Sequence, residues 1–89
     1  MVERTATIVN KVGLHARPAA QIVKLASGFK SDITLIRDDL EVNGKSIMGV
    51  MMLAAGKGAS VLVEAEGEDA EAALKAILEL IANRFGEGE

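Results

Sequence analysis

The chain has 89 residues, 49% of them hydrophobic, with two Phe as its only aromatic residues, no cysteine, one histidine and a formal net charge of −3. That length suits one small domain, residues 1–89, with a core drawn from Ala, Val, Ile, Leu and Met. The acidic balance and the shortage of stacking platforms argue against a nucleic-acid partner, and the missing cysteines remove disulfides, thiol nucleophiles and Cys-built zinc sites. A lone histidine rules out a His-rich metal site, and neither metal nor cofactor is expected, although carboxylate sites for hard cations stay open. The N-terminus lacks the basic-then-apolar pattern of a signal peptide and no apolar run is long enough to span a bilayer, so a cytoplasmic location without membrane insertion is expected.

Residues 2–9 read as a strand, with Val2, Arg4, Ala6 and Ile8 on one face and Glu3, Thr5, Thr7 and Val9 on the other. Asn10-Lys11-Val12-Gly13 is a loop. From Ala16 to about Ser27 the spacing of Ala19, Ile22, Val23 and Ala26 predicts an amphipathic helix, stopped by Ser27-Gly28. Residues 32–37 and 40–42 form a hairpin around Asp38-Asp39, a turn pair without the favoured glycine. Ser46 stands at an N-cap position ahead of a helix of about two turns, weakened by Gly49. After the Gly56-Lys57-Gly58 loop, residues 60–66 alternate as a strand, and Ala70, Ala73, Leu74, Ile77, Leu78 and Ile81 mark a helix ending near Asn83-Arg84. The last five residues, from Phe85, read as a loose tail. Strand, helix, strand, strand, helix, strand, helix is the pattern of an α+β two-layer domain.

Chemistry concentrates in Gly13-Leu14-His15-Ala16-Arg17-Pro18-Ala19-Ala20, which holds the sole histidine and the sole proline. A helix starting at Ala16 turns its unpaired backbone N–H groups and the positive end of its dipole toward His15. Such an end binds phosphate, with the N–H groups of Ala16 and Arg17 as donors. Arg17 adds a planar cationic fork, and Pro18 fits a first turn that does not need its N–H. On the residues alone, a phosphorylated imidazole competes with a capping or partly buried histidine.

Gly-Leu-His-Ala-Arg-Pro-Ala at 13–19 and Lys-Ser-Ile-Met-Gly-Val-Met at 45–51 resemble the HPr family, the histidine-containing phosphocarriers of the bacterial phosphotransferase system. The resemblance covers essentially the whole chain in length and element order. It implies an open-faced β-sandwich, a four-stranded antiparallel sheet with three helices on one face in the order βαββαβα. It further implies a monomer that takes a phosphoryl group from phosphorylated enzyme I and passes it to IIA domains of sugar permeases. His15 matches the residue phosphorylated through Nδ1, and Arg17 the one balancing its charge. Such a carrier is a substrate in phosphoryl transfer and turns nothing over by itself.

Ser46 matches the serine that HPr kinase/phosphorylase modifies in many members of the family. The helix it precedes and the start of the first helix match the family's docking surface, so Leu14, Ile47, Met48, Met51 and Met52 are candidate partner contacts. Lys24 and Lys11 are candidates for a basic rim, and Lys45 reads as a solvated charge. The Ser46 context favours the sugar branch over the nitrogen-related branch, and His15 argues against a catabolite-repression homologue. Ala54 departs from the glycine frequent in the family after the short helix.

Overall fold

Alternating side chains on each strand, one set apolar and one polar, divide the molecule into a core and an open sheet face. The computed structural model describes residues 1–86. In chain order the elements are β1 (Val2–Thr7), α1 (Ala16–Ser27), β2 (Asp32–Arg37), β3 (Leu40–Asn43), α2 (Ile47–Met52), β4 (Ser60–Glu66) and α3 (Ala70–Ala82). The four strands form one antiparallel sheet in the order β1-β4-β2-β3. With the three helices it makes the expected open-faced α+β sandwich.

Register explains which face is buried. Val61 pairs with Ala6, Val63 pairs with Leu35, and Ala65 pairs with Val2 and Ile33. Apolar residues at the same pleat position therefore form continuous rows beneath the helices. Ile33, Leu35, Val61, Val63 and Ala65 are all buried there. Ala19, Ile22 and Ala26 of α1 and Ala73, Leu74, Ile77 and Ile81 of α3 meet them. On the open face, Glu3 stands opposite Glu64. Partial desolvation, then a hydrogen bond and repulsion from Glu3, and repulsion from Glu41 and Glu66, hold the Glu64 carboxyl above its ordinary pKa. The open sheet face is thus acidic, and the cationic chemistry of the chain lies elsewhere.

Two sequence expectations need correction. No methionine joins the core: all four are exposed. Nor is Phe85 part of a loose tail. Arg84 and Phe85 adopt φ of 53° and 55°, which turns the chain back and buries the phenyl ring. Burying that ring is worth on the order of 2–3 kcal/mol, comparable with the roughly 2–4 kcal/mol that two residues of left-handed backbone cost. The remainder of the expected tail, residues 87–89, lies outside the described residues.

The segment leading into α3 is fastened to the end of α1. The Asp69 carboxylate accepts hydrogen bonds from the backbone N–H groups of Lys30 and Ser31, each at 2.9 Å, and from the Ser31 hydroxyl. The Ser31 hydroxyl contributes most to holding the Asp69 pKa down at about 2, followed by the Lys30 N–H. A carboxylate depressed in this way stabilises the fold above its unfolded value of 3.8, and that contribution disappears as pH falls toward about 2. Thermal melts between pH 5 and pH 2 are expected to show a smaller loss of Tm for Asp69→Asn than for the parent, because the variant has no such charge to neutralise. Equal slopes for the two proteins would contradict the assignment.

The exit of α2 carries strain at Ala54, where the resemblance leads glycine to be expected. Ala54 has φ 49°, a left-handed conformation that favours glycine, and its N–H donates to the Met51 carbonyl at 3.0 Å. Relief of about 1–2 kcal/mol of strain, less about 0.4–1 kcal/mol for a more flexible unfolded chain, should leave Ala54→Gly more stable. The expected gain is about 0.5–1 kcal/mol, or roughly 4 °C in Tm for a domain of this size, measured by calorimetry. A lower Tm would show that the site carries no strain.

Candidate functional site

His15 is held in place by the loop before it. Asn10 is fully buried and donates from Nδ2 to the Gly13 carbonyl at 2.9 Å. Gly13 has φ 69°, and a Cβ added there would stand 2.5 Å from the Ala55 carbonyl oxygen. Only glycine satisfies both that conformation and that approach. The Leu14 N–H then donates to the Ala55 carbonyl at 2.8 Å, while Gly58 and Ile8 exchange bonds with the same neighbourhood, Gly58 N–H to the Ile8 carbonyl at 2.7 Å and Ile8 N–H to the Ala59 carbonyl at 2.9 Å. The loop before α1 is thereby stitched to the loop after α2. His15 and α2 lie on one side of the molecule for that reason.

Leu14 is buried, 4% exposed, and so does not offer the contact surface expected of it. Its apolar side chain is anchored in the core, which fixes where the next residue emerges. That residue, His15, is exposed and stands at the N-cap of α1 with φ −82° and ψ −169°. Its carbonyl accepts the N–H of Ala19 at 3.0 Å. Its imidazole makes no capping hydrogen bond, which removes the capping reading of this histidine. Because Ala19 begins the ladder and Pro18 has no N–H, the N–H groups of Ala16 and Arg17 precede the helical hydrogen bonds. Both residues are exposed, Pro18 and Ala19 are buried beneath them, and α1 has no acidic residue in its first turn to oppose an anion.

Ser46 does cap its helix. Its Oγ accepts the N–H of Gly49 at 3.1 Å and its carbonyl the N–H of Val50 at 3.0 Å. The glycine that weakens α2 has a packing reason: a Cβ at Gly49 would lie 3.3 Å from Cβ of Val42 and 3.4 Å from Cβ of Ser46. Val50 and Leu53 turn inward. Ile47, Met48, Met51 and Met52 turn outward, with Met48 76% and Met52 62% exposed. An apolar patch of this kind on a folded surface points to protein contact.

Two cationic side chains lie differently from expectation, and a third, Arg37, carried no expectation. The Lys45 ammonium is not merely solvated, because it donates to the Phe29 carbonyl at 2.9 Å. Lys24 is exposed on α1 but sits nine residues beyond His15, on the order of 13 Å along the helix axis. It borders a crevice with Leu25, Phe29 and Leu80 at the opposite end of α1. Arg37, unremarked in the sequence, donates from Nη1 to the Leu53 carbonyl at 2.9 Å and to the Ala54 carbonyl at 3.4 Å. It satisfies carbonyls at the C-terminal end of α2, where a cation also meets the helix dipole.

Comparison with known proteins gives this geometry a context. A family model described as the PTS HPr component phosphorylation site matches residues 2–83. The chain belongs to the HPr family of phosphocarriers. The HPr of Cupriavidus necator is 54% identical over 89 residues, covering all of both chains. The crystal structure of HPr-C-His from Thermoanaerobacter tengcongensis is 52% identical, covers 98% of each chain and superposes with a TM-score of 0.94. An HPr dimer from the same organism is 52% identical, covers 98% of this chain and all of that one, and superposes at 0.79. In HPr terms the chain is a phosphocarrier component of the phosphotransferase system, and no helix among its described residues is long and apolar enough to cross a membrane.

Proposed function

We propose that this chain, as one domain over residues 1–89, accepts a phosphoryl group from phosphorylated enzyme I on His15 and passes it to IIA domains of sugar permeases. It acts as a cytoplasmic monomer and needs no cofactor of its own. The observation that carries the reading is an exposed imidazole at the N-terminus of a 12-residue helix, not used as a cap, with Arg17 in the first turn.

Transfer requires a lone pair on the attacking nitrogen, so His15 reacts as neutral imidazole. Nδ1 attacks phosphorus in line, a nitrogen–phosphorus bond forms, and the donor's bond to phosphorus breaks. The protein has little covalent work to do beyond this, and its contribution is position and charge. The N–H groups of Ala16 and Arg17 and the Arg17 guanidinium meet the phosphoryl oxygens. An open site leaves the product within reach of water and of the next partner, which suits a carrier that must release its cargo. Incubation with enzyme I, magnesium and labelled phosphoenolpyruvate should label the chain, and addition of a IIA domain should draw the label off. A chain that stays unlabelled beside a labelled control carrier would overturn the proposal.

Ser46 phosphorylation is the proposed control. The modification exchanges a hydroxyl cap for about −1.5 to −2 charges at a helix N-terminus, on the surface that partners would approach. HPr kinase/phosphorylase with ATP is expected to add one acid-stable phosphate that Ser46→Ala abolishes. Labelling of the Ala variant would place the phosphate elsewhere.

A further inference from the structure

We propose that Met48, Met51 and Met52 make α2 an oxidation-sensitive surface, on which conversion of the thioethers to sulfoxides by peroxide lowers the affinity for protein partners while leaving the fold intact. The inference rests on the reading of this helix as the docking surface.

Methionine is ordinarily among the more buried residue types, yet here the distribution is reversed. All four methionines of the chain are exposed, Met51 least at 42%, and none belongs to the cluster of buried residues. Three of them occupy one helix of six residues. Met48 and Met52 are four residues apart and Met48 and Met51 three, so their side chains are neighbours on the outer surface. Val50 and Leu53, which anchor the helix, carry no sulfur.

The chemistry follows from that placement. A sulfur lone pair attacks one peroxide oxygen, the O–O bond breaks, and the displaced oxygen leaves as water after taking up a proton. Sulfur loses two electrons and the peroxide gains them. The product is polar and chiral where a flexible apolar chain stood, and a dithiol-dependent reductase reverses the step. Oxidation of a buried methionine disrupts a core, whereas oxidation here changes only the surface. Loss of apolar complementarity at three adjacent positions, each gaining a strongly solvated S=O group, should weaken docking by about tenfold or more.

The test compares two phosphoryl donors. The full chain is oxidised with hydrogen peroxide until intact mass shows the added oxygens, then phosphorylated either by enzyme I with phosphoenolpyruvate or by phosphoramidate, a donor too small to use the helix surface. Oxidation is expected to lower kcat/KM toward enzyme I by about tenfold and to leave the phosphoramidate rate and Tm unchanged, with methionine sulfoxide reductase restoring the loss. A chain carrying Met48→Leu, Met51→Leu and Met52→Leu, compared with its own untreated form, should not respond to peroxide. Transfer from enzyme I that is efficient before oxidation and undiminished after it overturns this inference alone. So does a parallel fall in the phosphoramidate rate, or a peroxide response in the triple variant. If the untreated chain accepts nothing from enzyme I, the carrier reading fails and takes this inference with it.

Discussion

His15→Ala should yield a protein that melts within about 2–3 °C of the parent, a shift of under 1 kcal/mol on the scale for such domains, and accepts no phosphoryl group from enzyme I. The first half follows from where the side chain stands. It is exposed and does not cap α1, while the contact that starts the helix is made by the backbone carbonyl. Alanine preserves that carbonyl. The second half follows from chemistry: His15 is the sole histidine of the chain, so acceptance should fall by about a thousandfold or more, as removal of a nucleophile does elsewhere. Arg17→Ala is expected to be milder. Loss of a charged hydrogen-bonding partner, about 1.5–3 kcal/mol, corresponds to roughly 10–100-fold in the transfer rate. Residual labelling of the His15→Ala chain at the parent's rate would move the acceptor to another residue.

Gly13→Ala should be the most damaging change outside the acceptor itself. At φ 69° an L side chain costs about 1–2 kcal/mol, and here the new Cβ would also stand 2.5 Å from the Ala55 carbonyl oxygen and 2.8 Å from Gly56 Cα. Both obstacles are backbone, so no rotamer change relieves them. The chain can escape only by moving the loop apart from residues 55–56, which sacrifices the Leu14 to Ala55 hydrogen bond. A total of about 2–4 kcal/mol is expected from strain and the lost bond together, and a Tm lower by on the order of 10 °C or more. Because that bond also aims His15, transfer at temperatures where the variant is still folded should slow as well. An unchanged Tm would mean that the loop does not need this close approach.

Legibility in the sequence divides along a physical line. Elements whose burial is set by their own periodicity were readable to within two residues: α1 from Ala19, Ile22 and Ala26, α3 from Ala73, Leu74 and Ile77, and the alternating β4. The acceptor histidine was readable too, because Pro18, Arg17 and the helix start are adjacent in the chain. What depends on distant residues was not. Placement of β4 between β1 and β2 is a long-range pairing with no local signature. Leu14 carried a motif position but no hint that the core would take it. Asn10 looked like an ordinary loop residue, since asparagine favours turns, although it is buried and ties the loop to Gly13. Arg37 closes a strand with nothing in the sequence to mark it, while its guanidinium reaches across to the Leu53 and Ala54 carbonyls just after α2. Phe85 was misread because two consecutive residues at positive φ, neither of them glycine, are not foreseeable from residue type.

The central claim is that His15 carries a labile phosphoryl group, and intact mass spectrometry reads it directly. The chain is incubated with enzyme I, magnesium and phosphoenolpyruvate, and its mass is measured before and after brief acid treatment, with His15→Ala and a known carrier in parallel. One added phosphoryl group on the parent, lost in acid and never present on the variant, is the predicted result. No addition to the parent while the control carrier is labelled, or an acid-stable addition shared by parent and variant, would contradict it.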